Sequence, residues 1–323
     1  MLSRVADSIY WLNRYVERTE NVARFVDVNL NLLLDSPPGV TQQWEPIVLT
    51  TGDLPLFQKR YGEASAENVI RFLTIDPDYP NSILSCLRAA RENARSVREI
   101  ISSEMWQQVN AFYLRVNDFA QTYDDQTLPD FSVLFDFFND VKLESHLFAG
   151  VMDATMTHNE GWHFGQIGRL IERADKTARI LDVKYYILLP SIRDVGSTLD
   201  ELQWISLLKS ASAYEMYRKL GLHRITPTSI AEFLLLDPDF PRSIRFCVNQ
   251  VERSLHHITD TPTGTWRTPV ERSLGRLRSD LDYLTIDDVM LTGLHEFLDS
   301  LQSRMNDVGN KIFETFFALQ AVG

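Results

Sequence analysis

Arg14, Glu17, Arg18, Asn21 and Arg24 are spaced at three, four and seven residues, which places them on one face of a helix. Guanidinium forks and carboxylates at that spacing pair with one another, or grip a carboxylate or phosphate group. Arg169, Glu172, Arg173 and Arg179 repeat most of the pattern. One reading is a solvated face laced with ion pairs, each contributing about 0.2–0.5 kcal/mol. The other is a buried or ligand-facing network in which every member must be satisfied. Solvated positions tolerate almost any polar residue, so the first reading leaves the recurrence of the same ions unexplained.

Two further constellations carry chemical side chains. On a helix spanning 81–102, Arg88, Arg91, Glu92, Arg95 and Glu99 share a face, and Asn93 falls on the apolar side beside Ala90, Val97 and Ile100. The arginines are the one concentrated positive patch in the chain; they suit an anionic group, or they pair with Glu92 and Glu99 at the surface. A core-facing Asn93 needs partners, because an unmet hydrogen bond there costs about 1–3 kcal/mol. In the segment from Thr155 to Arg169, Gly161, Gly165 and Gly168 permit close backbone approach on one helix face. Glu160 and His163 form a single Glu-x-x-His, the spacing of di-iron bundle ligands, but a second such pair is missing, so no metal is expected.

These residues must be positioned by helices, and the helices recur. The segment Arg14 to Val28 matches Arg169 to Val183 with seven identities in fifteen positions, at an offset of 155. Phe72 to Ile83 matches Phe233 to Ile244 with eight identities in twelve, at an offset of 161, and Cys86 then falls on Cys247. Trp44 falls on Trp204, and Trp106 on Trp266. Such order implies a tandem duplication. Each Asp-Pro-Asp-aromatic-Pro stretch stops one helix and starts the next, with Asp78 and Asp239 placed to cap it. Apolar spacing is helical over 80–101, 104–121, 130–158, 160–189, 198–220, 240–258, 266–283 and 289–318. A sheet has no support beyond β-branched runs such as Ile47 to Thr51. The paired tryptophans read as core anchors.

Composition bounds the rest. With 44% hydrophobic and 24% charged residues, the 323-residue chain is globular and long enough for about two domains. A net charge of −12 argues against nucleic acid and anionic membranes as partners. The charge is uneven: acids run from Asp118 to Asp153, including Asp124 and Asp125, and from Asp280 to Asp299. Two cysteines make no disulfide framework, and no apolar run reaches the roughly 18 residues of a spanning helix, so the expectation is a cytoplasmic protein. Phosphate-loop, dinucleotide, zinc-protease and nucleophile-elbow motifs are all missing, so no cofactor is expected.

The opening 26 residues after Met1, the Arg-Glu-Asn-Ala-Arg helix followed by Glu104-Met-Trp, and the Thr155 to Arg179 segment together resemble the alpha-E domain family of bacterial proteins. The resemblance implies an all-helical cytoplasmic protein. Because the family's genes typically lie beside, or are fused to, those of a circularly permuted ATP-grasp ligase, and often near a transglutaminase-like peptidase, the resemblance also implies those partners. Carried over by motif, the family's charged positions correspond to Arg14, Glu17 and Arg18, then to Arg91, Glu92, Asn93, Arg95 and Glu104, then to Glu160, Arg169, Glu172 and Arg173. One departure is His158-Asn159, where the family more often has a basic residue and an aspartate.

The expectation is therefore an all-α protein of two tandem-duplicated helical bundles, residues 1–158 and 159–323, packed into one elongated molecule. It would act as an accessory or co-catalytic subunit of an ATP-grasp amide ligase, binding a peptide, aminoacyl or small anionic ligand through an Arg/Glu/Asn-lined groove. The alternatives are a stand-alone enzyme using buried Glu17, Glu160 and Glu172 as acid/base groups, and a scaffold whose stripes only lock two bundles together.

Overall fold

The computed structural model describes residues 1–35, 44–123, 129–186, 196–221 and 225–318. Among them are fifteen α-helices, no strand, and a π-helical turn at Phe313–Phe317. The first half of the chain holds α1 (Ser3–Asp35), α2 (Glu45–Thr51), α3 (Leu54–Tyr61), α4 (Ala66–Thr74), α5 (Ile83–Ser96), α6 (Ser103–Tyr123) and α7 (Phe131–Thr155). The second holds α8 (Glu160–Tyr186), α9 (Thr198–Ser210), α10 (Tyr214–Lys219), α11 (Pro227–Leu236), α12 (Ile244–Thr259), α13 (Pro269–Tyr283), α14 (Ile286–Thr292) and α15 (Leu294–Ile312).

The two longest helices, α1 and α8, pack along each other at the centre. Around α1 lie α5 and α7, with α6 against both; around α8 lie α12 and α15, with α13 against both. Two apolar clusters result. One joins Ile9, Leu12, Val16, Val26 and Leu30 of α1 to side chains as far as Met156; the other gathers residues from Phe164 to Phe317, with Ala6 and Tyr10 of α1. Because α1 feeds both clusters, its polar face is enclosed as well as its apolar one.

Several sequence expectations are corrected. Ile47 to Thr51 is helical, within α2. The 198–220 stretch breaks after Ser210, where Ser212 adopts a left-handed φ of 50°, and the 289–318 stretch divides at Gly293, whose φ is 97°. Asp78 and Asp239 do not cap α5 and α12. The caps are Ser82 and Ser243, accepting from the Ser85 and Phe246 amides at 3.1 Å. Asp76 and Asp237 instead accept the turn amides of residues 78–79 and 239–240. The α5 helix stops at Ser96, short of residue 101. Trp44 and Trp204 are buried, but Trp266 is 56% exposed beneath Arg272 and is no core anchor. The Asp124–Asp125 pair and positions 187–189 lie outside the described residues. No described helix is long and apolar enough to cross a membrane.

Candidate functional site

The close approach of α1 and α8 is set by glycine. A Cβ on Gly168 would collide with the Tyr10 carbonyl, and one on Gly165 with the side chains of Met152 and Asn13. At Gly168 the obstacle is backbone, so no larger residue fits there without separating the helices, whereas at Gly165 the ends of the Met152 and Asn13 side chains would have to move aside.

One turn beyond Gly168, the charged faces interlock. Arg18 grips Glu172 with both arms of its fork, Nε to Oε1 at 2.7 Å and Nη2 to Oε2 at 2.9 Å. Arg173 grips Glu17 in the same way, both bonds at 2.8 Å. Thus each helix supplies a Glu-Arg pair whose acid is held by the other helix's arginine. Arg14 adds a bond to Glu172 Oε2 at 3.0 Å and donates to Tyr10 Oη at 3.2 Å. Lys176 lies 3.5 Å from Glu172.

The segments before α5 and α12 complete the network. Arg18 donates to Asn81 Oδ1 at 2.5 Å, and Arg173 to the Pro241 carbonyl at 3.4 Å. Arg242, buried before α12, donates to Asn21 at 3.0 Å and reaches Glu17 and Glu20. Glu20 also receives Arg24, as Asp175 receives Arg179, each at 2.9 Å from Nε. Fork-to-fork geometry with every carboxylate oxygen of Glu17 and Glu172 engaged is what a buried ion pair requires to offset its desolvation.

The electrostatics follow. Burial pushes the Glu17 carboxyl up, but Arg173 and Arg242 outweigh it and hold the group below the ordinary range. Burial likewise raises Glu172, and Arg18, Lys176 and Arg14 bring it well below. Glu20, desolvated yet beside Arg242 and Arg24, is drawn down to about 2. All three are ionised at neutral pH, with no proton to give, and both oxygens of Glu17 and of Glu172 are already engaged. Cys86 and Cys247 lie buried beside the network, and burial raises both thiols to about 12, so neither is a ready nucleophile.

The anticipated residues thus divide. Arg14, Glu17, Arg18, Glu172 and Arg173 converge. Arg169 lies on the same α8 stripe outside the forks: it donates to Gln166 at 2.6 Å, and its buried Nε has no partner among the described residues. Arg91, Glu92 and Arg95 form their own surface cluster, where Arg91 donates to Asn110 at 2.7 Å and lies over Tyr113. Glu104 is exposed at the start of α6, and Asn93 is half-buried on α5 while the neighbouring Ile100 is exposed. Glu160 is half-exposed and 2.7 Å from the Met1 amino group. His163 stacks on His257 at 3.9 Å, and burial with the neighbouring histidines lowers it to about 4. No group of three or more His, Cys, Asp or Glu among the described residues could hold a metal. Sequence reasoning missed Asn81 and Arg242, although both stand at the same place in the repeated Asp-Pro-Asp segment. A cavity of about 490 Å³ opens beside Arg14; neither Glu17 nor Glu172 lines it.

A family model described as a predicted alpha-helical domain with a conserved ER motif matches residues 1–317. The interlocked pairs Glu17-Arg18 and Glu172-Arg173 are two occurrences of that dipeptide in this chain. Curated relatives include an uncharacterized protein of Mycobacterium bovis, 23% identical over 98% of this chain and 37% of its own length. Uncharacterized proteins from two strains of Mycobacterium tuberculosis match over the same shares at 23% and 22% identity. The chain therefore spans little more than a third of the curated relatives it matches. No solved structure matches the chain.

Proposed function

This chain belongs to the Alpha-E family, and from that premise we propose that it is a non-catalytic helical module working beside an ATP-grasp amide ligase. The observation that carries the reading is the state of its buried acids. Glu17 and Glu172 are gripped on both oxygens by guanidinium forks and held ionised, which unsuits them to the acid/base work a stand-alone enzyme would ask of them. The bond-forming chemistry is then assigned to a partner. The greater length of the curated relatives agrees with a module that works next to other parts. The ligase, and a transglutaminase-like peptidase as a further partner, come from the family resemblance.

The same forks support reading residues 1–158 and 159–323 as copies of one unit, joined by reciprocal pairing of α1 with α8. Equivalent residues occupy equivalent places: Asp76 and Asp237 in the turns, Ser82 and Ser243 as caps, and Arg24 and Arg179 as second partners.

The test is co-expression of the full chain with the neighbouring ATP-grasp ligase. The reading expects the two to co-purify and the chain to alter the ligase's ATP turnover. If they neither associate nor influence turnover, the reading fails.

A further inference from the structure

The cavity of about 490 Å³ beside the lock lies between α1, α8, α15 and the π-helical turn. Its volume is within the range of small-molecule sites, roughly 300–1,000 Å³. Trp11, Phe313 and Phe317 supply an aromatic wall. Asn306, Gly309, Asn310 and Phe313 all line it, and their i, i+3, i+4, i+7 spacing is one face of α15 running into the π turn. Both asparagines are exposed at the mouth of the cavity, and neither side chain is held by a hydrogen bond to another described residue, so both amides are free to meet a ligand.

The charge balance of the wall narrows the ligand. Arg14 is the cation of the cavity, but its Nε and Nη2 are held by Glu172 and its Nη1 by Tyr10. Its charge is thus already answered, and an anion finds no uncommitted fork. Asp175, also in the lining, has Oδ2 bonded to Lys176 and Arg179, whereas its buried Oδ1 has no partner. What the wall offers is two primary amides, each both donor and acceptor, an acceptor carboxylate oxygen, and aromatic faces. That set matches the N–H and C=O groups of a peptide with an aromatic or large apolar side chain.

We propose that this cavity is a binding site for a short, uncharged peptide segment, with Asn306 and Asn310 reading its backbone and Trp11, Phe313 and Phe317 holding its side chain. The proposal gives the module read above a ligand, and rests on that reading only in assigning the ligand to a peptide-handling system; the site itself stands without the ligase.

Gly309 provides a clean test. A Cβ there would meet nothing within 4 Å, so Gly309→Leu can start from the cavity wall without a clash at Cβ and replaces a helical glycine by a better helix former. Saturation-transfer NMR on the full chain, with N-acetyl-phenylalanyl-glycinamide as probe, should show transfer to the phenyl and acetyl protons. Gly309→Leu should reduce the signal at least tenfold while keeping the wild-type melting temperature or raising it, and Asn306→Ala with Asn310→Ala should weaken it severalfold. Inorganic phosphate and acetate should not compete. Absence of transfer to the wild type, full transfer to Gly309→Leu, or displacement by phosphate or acetate would each overturn the proposal. Co-purification of Gly309→Leu with the ligase separates the two ideas, since loss of the peptide leaves the association standing.

Discussion

Arginines and glutamates at helical spacing occur on α1 and α8 and again on α5, yet the two regions differ in nearly every physical respect. On α1 and α8, Glu17 and Glu172 are each gripped across the helix pair by an arginine more than 150 residues away, and Glu172 has no exposed surface. On α5, Arg95 and Glu92 pair within one helix while 66% and 46% exposed. A solvated pair is screened and pays side-chain entropy, whereas a buried fork leaves an uncompensated ion if either member is removed. Identical residue types therefore hold the molecule together in one place and dress its surface in the other. The distinguishing signal was repetition: the α1 pattern recurs on α8, while the α5 pattern has no counterpart on α12, where the sequence becomes Val-Asn-Gln-Val-Glu.

Acid should separate the regions most strongly, because it acts on Glu17, Glu20 and Glu172 together. Their carboxyls are held below the ordinary glutamate value of about 4.3. Groups depressed by folding contribute fully above the unfolded value and lose that contribution as pH falls through the folded one. Stability measured by urea unfolding should be level above about pH 5 and fall steeply from about pH 4 toward 2, the value for Glu20. A chain equally stable at pH 2.5 and pH 7 would contradict the lock.

Removal of one acid comes next. Glu172→Ala strands Arg14 and Arg18 in the interior and should cost about 3–5 kcal/mol in chemical denaturation. Gly168→Ala, which forces α1 and α8 apart at the Tyr10 carbonyl, should cost about 1–3 kcal/mol by the same measurement. At the small end, Arg95→Ala on the exposed α5 face should change stability by less than about 1 kcal/mol, and less still in high salt. A large loss there would erase the contrast between the regions.

The helical class was legible because proline-bearing stops and 3.6-residue apolar spacing are local properties. Gly161, Gly165 and Gly168 also announced a close helix contact, and the structure places α1 against Gly165 and Gly168, while Gly161 faces the Met1 and Met156 side chains. Burial of the charged stripe was legible only as a choice between two readings, since α1 looks amphipathic while it is enclosed by both clusters. Arg242 and Asn81 escaped notice because they join the network through tertiary proximity, which spacing along the chain does not reveal. The cavity was invisible for a similar reason: on α15 alone, Asn306, Gly309 and Asn310 look like solvent-facing positions, and although both asparagines stay exposed, only the approach of α1, α8 and the π turn makes them one wall of a cavity.

The most direct measurement is a double-mutant cycle on Glu17 and Arg173, residues on opposite helices joined by two 2.8 Å bonds. Urea unfolding of wild type, Glu17→Ala, Arg173→Ala and the double variant gives their coupling. A reciprocal buried lock predicts a coupling of about 2 kcal/mol or more, with the double variant far less impaired than the sum of the singles. A coupling below about 0.5 kcal/mol, the scale of an exposed pair, would contradict it.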